Sequence, residues 1–510
     1  MLLVAAGAAT QVAAAEPDHR LPDAAMNRDF ATVGALLGKG IDPNTRGEYE
    51  TPALLWLVEV DEVATAAKLL KAGADVNIST PLGVTALKLA IGNGSEAMTK
   101  LLLDAGARAN TLEPSGESLL MTAAAVGVPG VVKTMLAHGA DVNFRDATYA
   151  QSALMIAARE GHTDIADLLL KAGADVNAKT TVFPAPAFIK PNSVPGFGFG
   201  VGILRGGPPA DRGRREPQAG GMTPLLYAAR QGHVDVAKLL LAHGAELNAR
   251  EANDIWPLLM AISNDNMTMA EFLLQQKGVL INGQDWYGRS PIWEAVNVRN
   301  LYVHNATFVN GIDRAPVLEL IKHLLDAGAD PNVRTKEAPP VRQHLLPITG
   351  TLEWVDFTGQ TPFLAAAYAG DVTVMKLLLQ YKADPKIETF RGTSALMAAA
   401  GVNWVYAQTW TEGEPQLLEA VKLCKSLGMD VNQKNSMGVT ALMGAANRGS
   451  DSIIKYLVDQ GADVTTQDNE HRTALDWAKG VFLATHPAEQ KPKSMALLTS
   501  MLQTQGKEVR

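Results

Sequence analysis

Apolar residues in this chain come in short bursts at helical spacing, each closed by a glycine. Between Ser152 and Asn177 the sequence reads SALMIAAREGHTDIADLLLKAGADVN. Leu154, Ile156, Ala157 and Ala158 supply one packing face, and Ile165, Leu168 and Leu169 supply a second. The pattern predicts two short helices. Ser152 caps the first, because its hydroxyl can satisfy free N–H groups of the opening turn. Gly161 ends it, since a left-handed position costs glycine little. The second helix starts near Thr163 with Asp164 in its positive first turn. Gly173 stops it, and Ala174-Asp175-Val176-Asn177 turn the chain outward. Two helices of this length cannot bury their apolar faces alone; they need copies of themselves on either side.

The copies are present. The capping position recurs at Thr51, Thr85, Ser118, Ser152, Thr223, Ser290, Thr361, Ser394, Thr440 and Thr473, with Trp256 standing in once. Asp18 opens a degenerate unit ahead of Thr51. Pro follows the cap at Pro52, Pro224, Pro257, Pro291 and Pro362, where its missing N–H does no harm. The stop glycine returns as Gly73, Gly106, Gly139, Gly173, Gly244, Gly328, Gly428 and Gly461.

The pattern T-P-L…A-A…G-H…L-L…G-A-D-V-N resembles the ankyrin repeat, with Thr223-Pro224-Leu225, Gly232-His233 and Gly244-Ala245 as close matches. The resemblance covers nearly the whole chain. It implies an all-α ankyrin-repeat solenoid of about twelve helix-turn-helix units with hairpin fingers, a right-handed curved array with irregular insertions. Stacking at roughly 8–10 Å per helix extends such an array to about 100 Å. One departure matters. The family's usual His, third after the Thr, is here Leu54, Met121, Met155, Leu226, Trp293, Met397 or Met443. That His ties neighbouring turns by hydrogen bonds, so this array is expected to rely more on apolar packing. The long insertions resemble those of large exported bacterial ankyrin proteins, a group that implies no defined reaction.

Composition narrows the compartment and the partners. A net charge of −8 argues against nucleic acid, whose binding rests on phosphate neutralisation by basic residues. Residues 1–15, MLLVAAGAATQVAAA, are uncharged and end in Ala13-Ala14-Ala15 before Glu16-Pro17. They resemble a secretory leader with a small-residue cleavage site, although a basic start is missing. An exported, periplasmic protein is therefore expected, with Glu16 opening the mature chain; the alternative is a cytoplasmic protein with an Ala-rich tail. No later apolar run is long enough to span a membrane. A single cysteine, Cys424, excludes an intrachain disulfide and any Cys-paired zinc motif. Its helical spacing places it in the core as a small hydrophobe.

The array is read as continuous over residues 16–502, with 503–510 as a disordered tail and insertions at 178–221, 301–315, 333–358 and 402–415. Residues 178–221 hold seven prolines, nine glycines and four phenylalanines, a lengthened finger rather than a phosphate loop. Gly198, Gly200 and Gly202 are followed by no helix that could offer N–H groups to a phosphate.

Catalytic, cofactor and metal sites are not expected. His162, His233, His138 and His243 occupy repeat positions, and no histidine pair has the spacing of a helical metal site. Asp75, Asp141, Asp175 and Asp463 recur once per turn, which marks architecture. No nucleophile elbow, Walker loop or dinucleotide fingerprint occurs. An enzyme would need a site improvised from the insertions, with His304, Asp313, His344 or Asp356. What remains is protein binding by a monomer through the concave face and hairpin tips, either as a scaffold or as a host-directed effector.

The partner surface is expected in the C-terminal half, where six of the eight tryptophans lie between residues 256 and 410. Counting back from each cap puts Trp286 and Tyr287 at one tip, Phe357 at a later one, and Phe390 with Arg391 at the next. Tyr368 falls near the end of a first helix, facing the concavity. Tips such as Pro114-Ser115 and Ala252-Asn253 carry small or polar turn formers. Large aromatics and Arg at a tip fit interface anchors instead. The opposing reading has the insertions folding over these rings, Trp404, Tyr406 and Trp410 first.

Overall fold

A computed structural model describes residues 18–184, 218–305, 314–336, 358–404, 411–481 and 489–506. The leader, most of the 178–221 and 333–358 fingers, and Phe357, Tyr406, Trp410, Asp313, His344 and Asp356 lie outside these residues. Among the described residues the chain forms 24 helices and no strand. It divides into two compact units: residues 1–181 with 235–245, and residues 182–234 with 246–510.

In the first unit the helix pairs are Arg20–Met26 with Phe30–Leu37, Ala53–Glu59 with Val63–Lys71, Ala86–Gly92 with Glu96–Asp104, Leu119–Val126 with Pro129–Ala137, and Ala153–Glu160 with Thr163–Lys171. First helices stack on first helices and second on second, so each apolar face meets its copy. The second unit follows the same rule, from Pro257–Ser263 with Met267–Leu274 to Ala474–Ala478 with Pro492–Thr504.

Local signals act as the residues dictate. Thr85, Ser118, Ser152, Thr223, Thr361, Ser394, Thr440 and Thr473 each accept the N–H three residues on. Gly161 and Gly173 both take positive φ, 80° and 91°. Thr51 departs from the pattern. Its hydroxyl donates to the Tyr49 carbonyl and Pro52 precedes the helix, because Tyr49 and Glu50 are both left-handed and shift the turn.

Two expected boundaries are corrected. The helix Pro291–Asn305 runs into the supposed insertion 301–315, since no Gly or Pro interrupts it, and the next helix is Ala315–Asp326. The last helix, Pro492–Thr504, enters the supposed disordered tail because Leu498 and Leu502 bury its face.

The repeats are tied by more than apolar contact. In the first unit Asn44, Asn77, Asn110, Asn143 and Asn177 each donate an amide hydrogen to the stop-glycine carbonyl of a following turn, at 2.9–3.3 Å. In the second unit Asn248, Asn282, Asn332 and Asn432 make the same bond, at 2.8–3.2 Å, with Lys382 replacing the glycine opposite Asn332. Most of these side chains also accept an N–H from that next turn, as Asn44 does from Asp75 at 2.7 Å. The asparagine of each turn therefore supplies the polar tie that the missing His would have made. Lys386 and Thr465 stand at this position in two turns, and neither has an amide to offer.

The recurring carboxylates close the same turns: Asp75, Asp141 and Asp175 accept the N–H two residues on. His162 is architectural as well. Its Nδ1 lies 2.9 Å from the Ala124 carbonyl, and its ring fills the space beside Gly127 that a Cβ would occupy.

Candidate functional site

The fingers of the second unit are joined tip to tip by backbone hydrogen bonds. Ala252 N–H donates to Gly220, Trp286 to Asn253, Lys336 to Tyr287, Phe390 to Thr358, Ser436 to Arg391 and Asn469 to Met437. Side chains at these tips are placed by that ladder.

Trp286 and Tyr287 do share a tip, between Asp285 and Gly288. Their rings meet edge to face with centroids 4.7 Å apart, and the Arg289 guanidinium lies 5.4 Å from the Tyr287 ring. Both rings are half-buried. Arg289 is itself buried, bonded to Asp285 at 2.7 Å and near Glu294 at 3.4 Å. Burial pushes the Asp285 carboxyl above its ordinary range, against the pull of Arg289. Phe390 is 60% exposed, with the Arg334 guanidinium 4.2 Å from its ring centre. Arg391 is half-buried on the same tip.

Tyr368 is corrected. It is buried beside Leu364 and Ala398, and its hydroxyl donates to the Asn403 carbonyl at 2.8 Å. A core position removes it from any partner surface. The whole first helix Pro362–Ala369 is buried, as are Pro257–Ser263 and the stretch Pro291–Asn300. First-helix side chains expected to line an open concavity there are therefore interior.

Arg299, Arg314, Asp371 and Glu412 form a largely buried ion cluster in this unit. Arg299 Nε donates to Asp371 at 2.8 Å, Arg314 Nη2 to the same oxygen at 3.1 Å, and Arg314 Nη1 to Glu412. Each cation has a carboxylate, so the cluster is a cross-link between repeats rather than a free acid or base.

Among the described residues the most exposed apolar tips lie in the first unit, away from the half where the tryptophans concentrate. Tyr49 is 75% and Leu82 81% exposed. With Leu55, Trp56, Pro81 and Leu89 they line a groove of about 380 Å³, and Glu59 is its acidic wall. Arg46 holds the Tyr49 tip: its Nη1 donates to Glu50 O at 2.8 Å and to Ser79 O at 3.0 Å. Left-handed φ at a bulky residue costs about 1–3 kcal/mol and persists only where surroundings enforce it. Tyr49 and Glu50 take this conformation in succession, at φ 61° and 55°. Counting back from Thr85 reaches Pro81-Leu82, whereas the same count from Thr51 gives Gly47-Glu48, so Leu82 had a signal in the sequence and Tyr49 did not.

Models of the ankyrin repeat match residues 21–113, 97–180 and 412–480 in tandem form, and residues 220–252 and 358–390 as single repeats. The chain is an ankyrin-repeat protein. Similar sequences include the "Ankyrin repeat and KH domain-containing protein mask-1" of Caenorhabditis elegans, 30% identical over 259 residues, half of this chain and 8% of that protein. Alpha-latrocrustotoxin-Lt1a of Latrodectus tredecimguttatus is 26% identical over 171 residues, 34% of this chain and 10% of the toxin. The NF-kappa-B inhibitor cactus of Drosophila yakuba is 44% identical over 50 residues, 10% of each chain. The ankyrin chain thus matches about a tenth or less of the length of these relatives. Among its described residues no helix is long and apolar enough to cross a membrane, and no cluster of His, Cys, Asp and Glu could hold a metal ion.

Proposed function

We propose that this ankyrin-repeat protein is a binding scaffold that captures a protein partner in the groove between its first fingers. The observation that carries the reading is the exposure of Tyr49 and Leu82 over one groove, floored by first-helix side chains and presented by a strained backbone. Apolar side chains this exposed gain nothing from the fold, whereas aromatic anchors in a concave site are what protein interfaces use. Glu59 in the wall and exposed Glu50 favour a partner segment that pairs an apolar side chain with Lys or Arg. A relative named as an inhibitor of another protein is in keeping with this reading.

The test compares crosslinked capture by native protein, by Tyr49→Ser with Leu82→Ser, and by Trp286→Ala with Tyr287→Ala. The first pair is expected to lose the partner with a stability change within about 0.5 kcal/mol for the exposed Leu82 position. Undiminished capture by that pair, with loss in the Trp286 pair, returns the surface to the second unit.

A further inference from the structure

Most arginines drawn inward among the described residues meet a carboxylate or two backbone carbonyls. Arg289, Arg299 and Arg314 face carboxylates. Arg46 and Arg334 meet no carboxylate among the described residues, but each spends donors on two backbone carbonyls. Arg448 differs from all of these. It is half-buried at the C-terminal end of the helix Ala441–Arg448, and its one side-chain hydrogen bond among the described residues runs from Nη2 to Thr411 Oγ1 at 2.7 Å.

Among the described residues its surroundings supply an aromatic ring and a second cation but no paired anion. The guanidinium carbon lies 5.5 Å from the Trp404 ring centre, and Lys491 Nζ lies 5.9 Å from the same centre. The Lys491 stem rests against Gly449, where an added Cβ would come within 3.0 Å of Cδ, so the two cations are set beside one indole. Gly401 brings the neighbouring repeat close: a Cβ there would meet the Arg448 Cβ at 3.3 Å. Tyr368 and Glu414 both attract Arg448 without bonding to it, and the Glu414 carboxylate accepts from Ser452 instead. Glu489 pairs with Lys491 at 2.6 Å, and no carboxylate pairs with Arg448 among the described residues. Burial lowers the guanidinium to about 10, the mark of a charge removed from water without full compensation.

We propose that Arg448, backed by Trp404 and flanked by Lys491, is a binding site for an oxyanion, a carboxylate or phosphate group carried by a ligand of this protein. Among the described residues Nε and Nη1 have no partner, and Thr411 takes only one of the two Nη2 hydrogens, so one bidentate edge, the other Nη2 hydrogen with Nε or Nη1, is left for two oxygens of one anion. Trp404 gives the site an apolar face, which favours an anion attached to a flat or apolar body. The inference is independent of the Tyr49 groove.

The probes are sodium acetate and sodium phosphate, with sodium chloride at matched ionic strength, read as a shift in melting temperature. Phosphate strengthens burial in any protein, so the readout is the difference between native protein and variants. Native protein is expected to show saturable stabilisation by one or both oxyanions. Arg448→Gln should raise the half-effect concentration at least about tenfold, as expected for a lost charge-assisted pair. Lys491→Met should raise it by a smaller factor, and decides the matter if Arg448→Gln does not fold. A response to phosphate alone identifies a phosphoryl ligand, and one to acetate alone a carboxylate. Equal responses in native protein and both variants, or none beyond chloride, overturn the site.

Discussion

Asn143 and Gly173 are joined across a repeat boundary: the Asn143 amide donates to the Gly173 carbonyl at 3.0 Å. Its Oδ1 meanwhile accepts the Asp175 N–H at 2.8 Å. One side chain thus satisfies a donor and an acceptor of the next turn, which a helix end otherwise leaves to water.

Asn143→Ala should therefore destabilise the first unit by about 1–2 kcal/mol, the net worth of two hydrogen bonds at a solvated turn. Lys386→Asn should do the reverse, adding a clamp toward the Gly428 turn worth about 0.5–1.5 kcal/mol. Urea midpoints of both variants measure this. A neutral Asn143→Ala would mean that water replaces the clamp without loss.

Asp371 accepts from Arg299 and Arg314 while its other oxygen accepts the Val374 N–H at 3.1 Å and caps a helix. Asp371→Asn retains the cap but leaves two guanidinium groups facing a neutral amide. Breaking one partner of a buried ion cluster costs about 3–5 kcal/mol. A urea midpoint unchanged by the substitution would show the cluster to be solvated and energetically idle.

Cys424 is fully buried and its thiol is pushed up to about 12 by burial. Folding holds the proton, so this contribution to stability is complete below the ordinary value of 9.0 and is lost as pH rises from there toward 12. At pH 8 a disulfide reagent should modify native protein more than about a hundredfold slower than denatured protein. Rapid modification of the native chain would contradict the buried assignment.

The repeat phase was legible because capping hydroxyls, stop glycines and apolar spacing all act within one turn of the residue that causes them. Ser152, Gly161 and Gly173 behave as their chemistry requires. The polar tie was readable too, since Asn recurs in every D-V-N-type turn, but its partner lies about thirty residues away and spacing alone does not reveal reach. The surface was least legible. Tyr368 and Tyr49 are both tyrosines near tips or helix ends, yet one is buried and the other exposed. That outcome depends on what packs above each ring, a tertiary fact with no local signature.

Lys386 has one more consequence. Where it interrupts the asparagine series, Arg314 and Glu412 cross between repeats, and Glu412 N–H also donates to Ala369 O at 2.7 Å. The finger side of that boundary is closed as well, by Ser436 N–H on the Arg391 carbonyl at 2.8 Å and by the Asn435 amide on the Thr393 hydroxyl at 3.3 Å. One lost amide therefore leaves the two repeats fastened at both ends, and the series tolerates a gap because no single tie carries the joint.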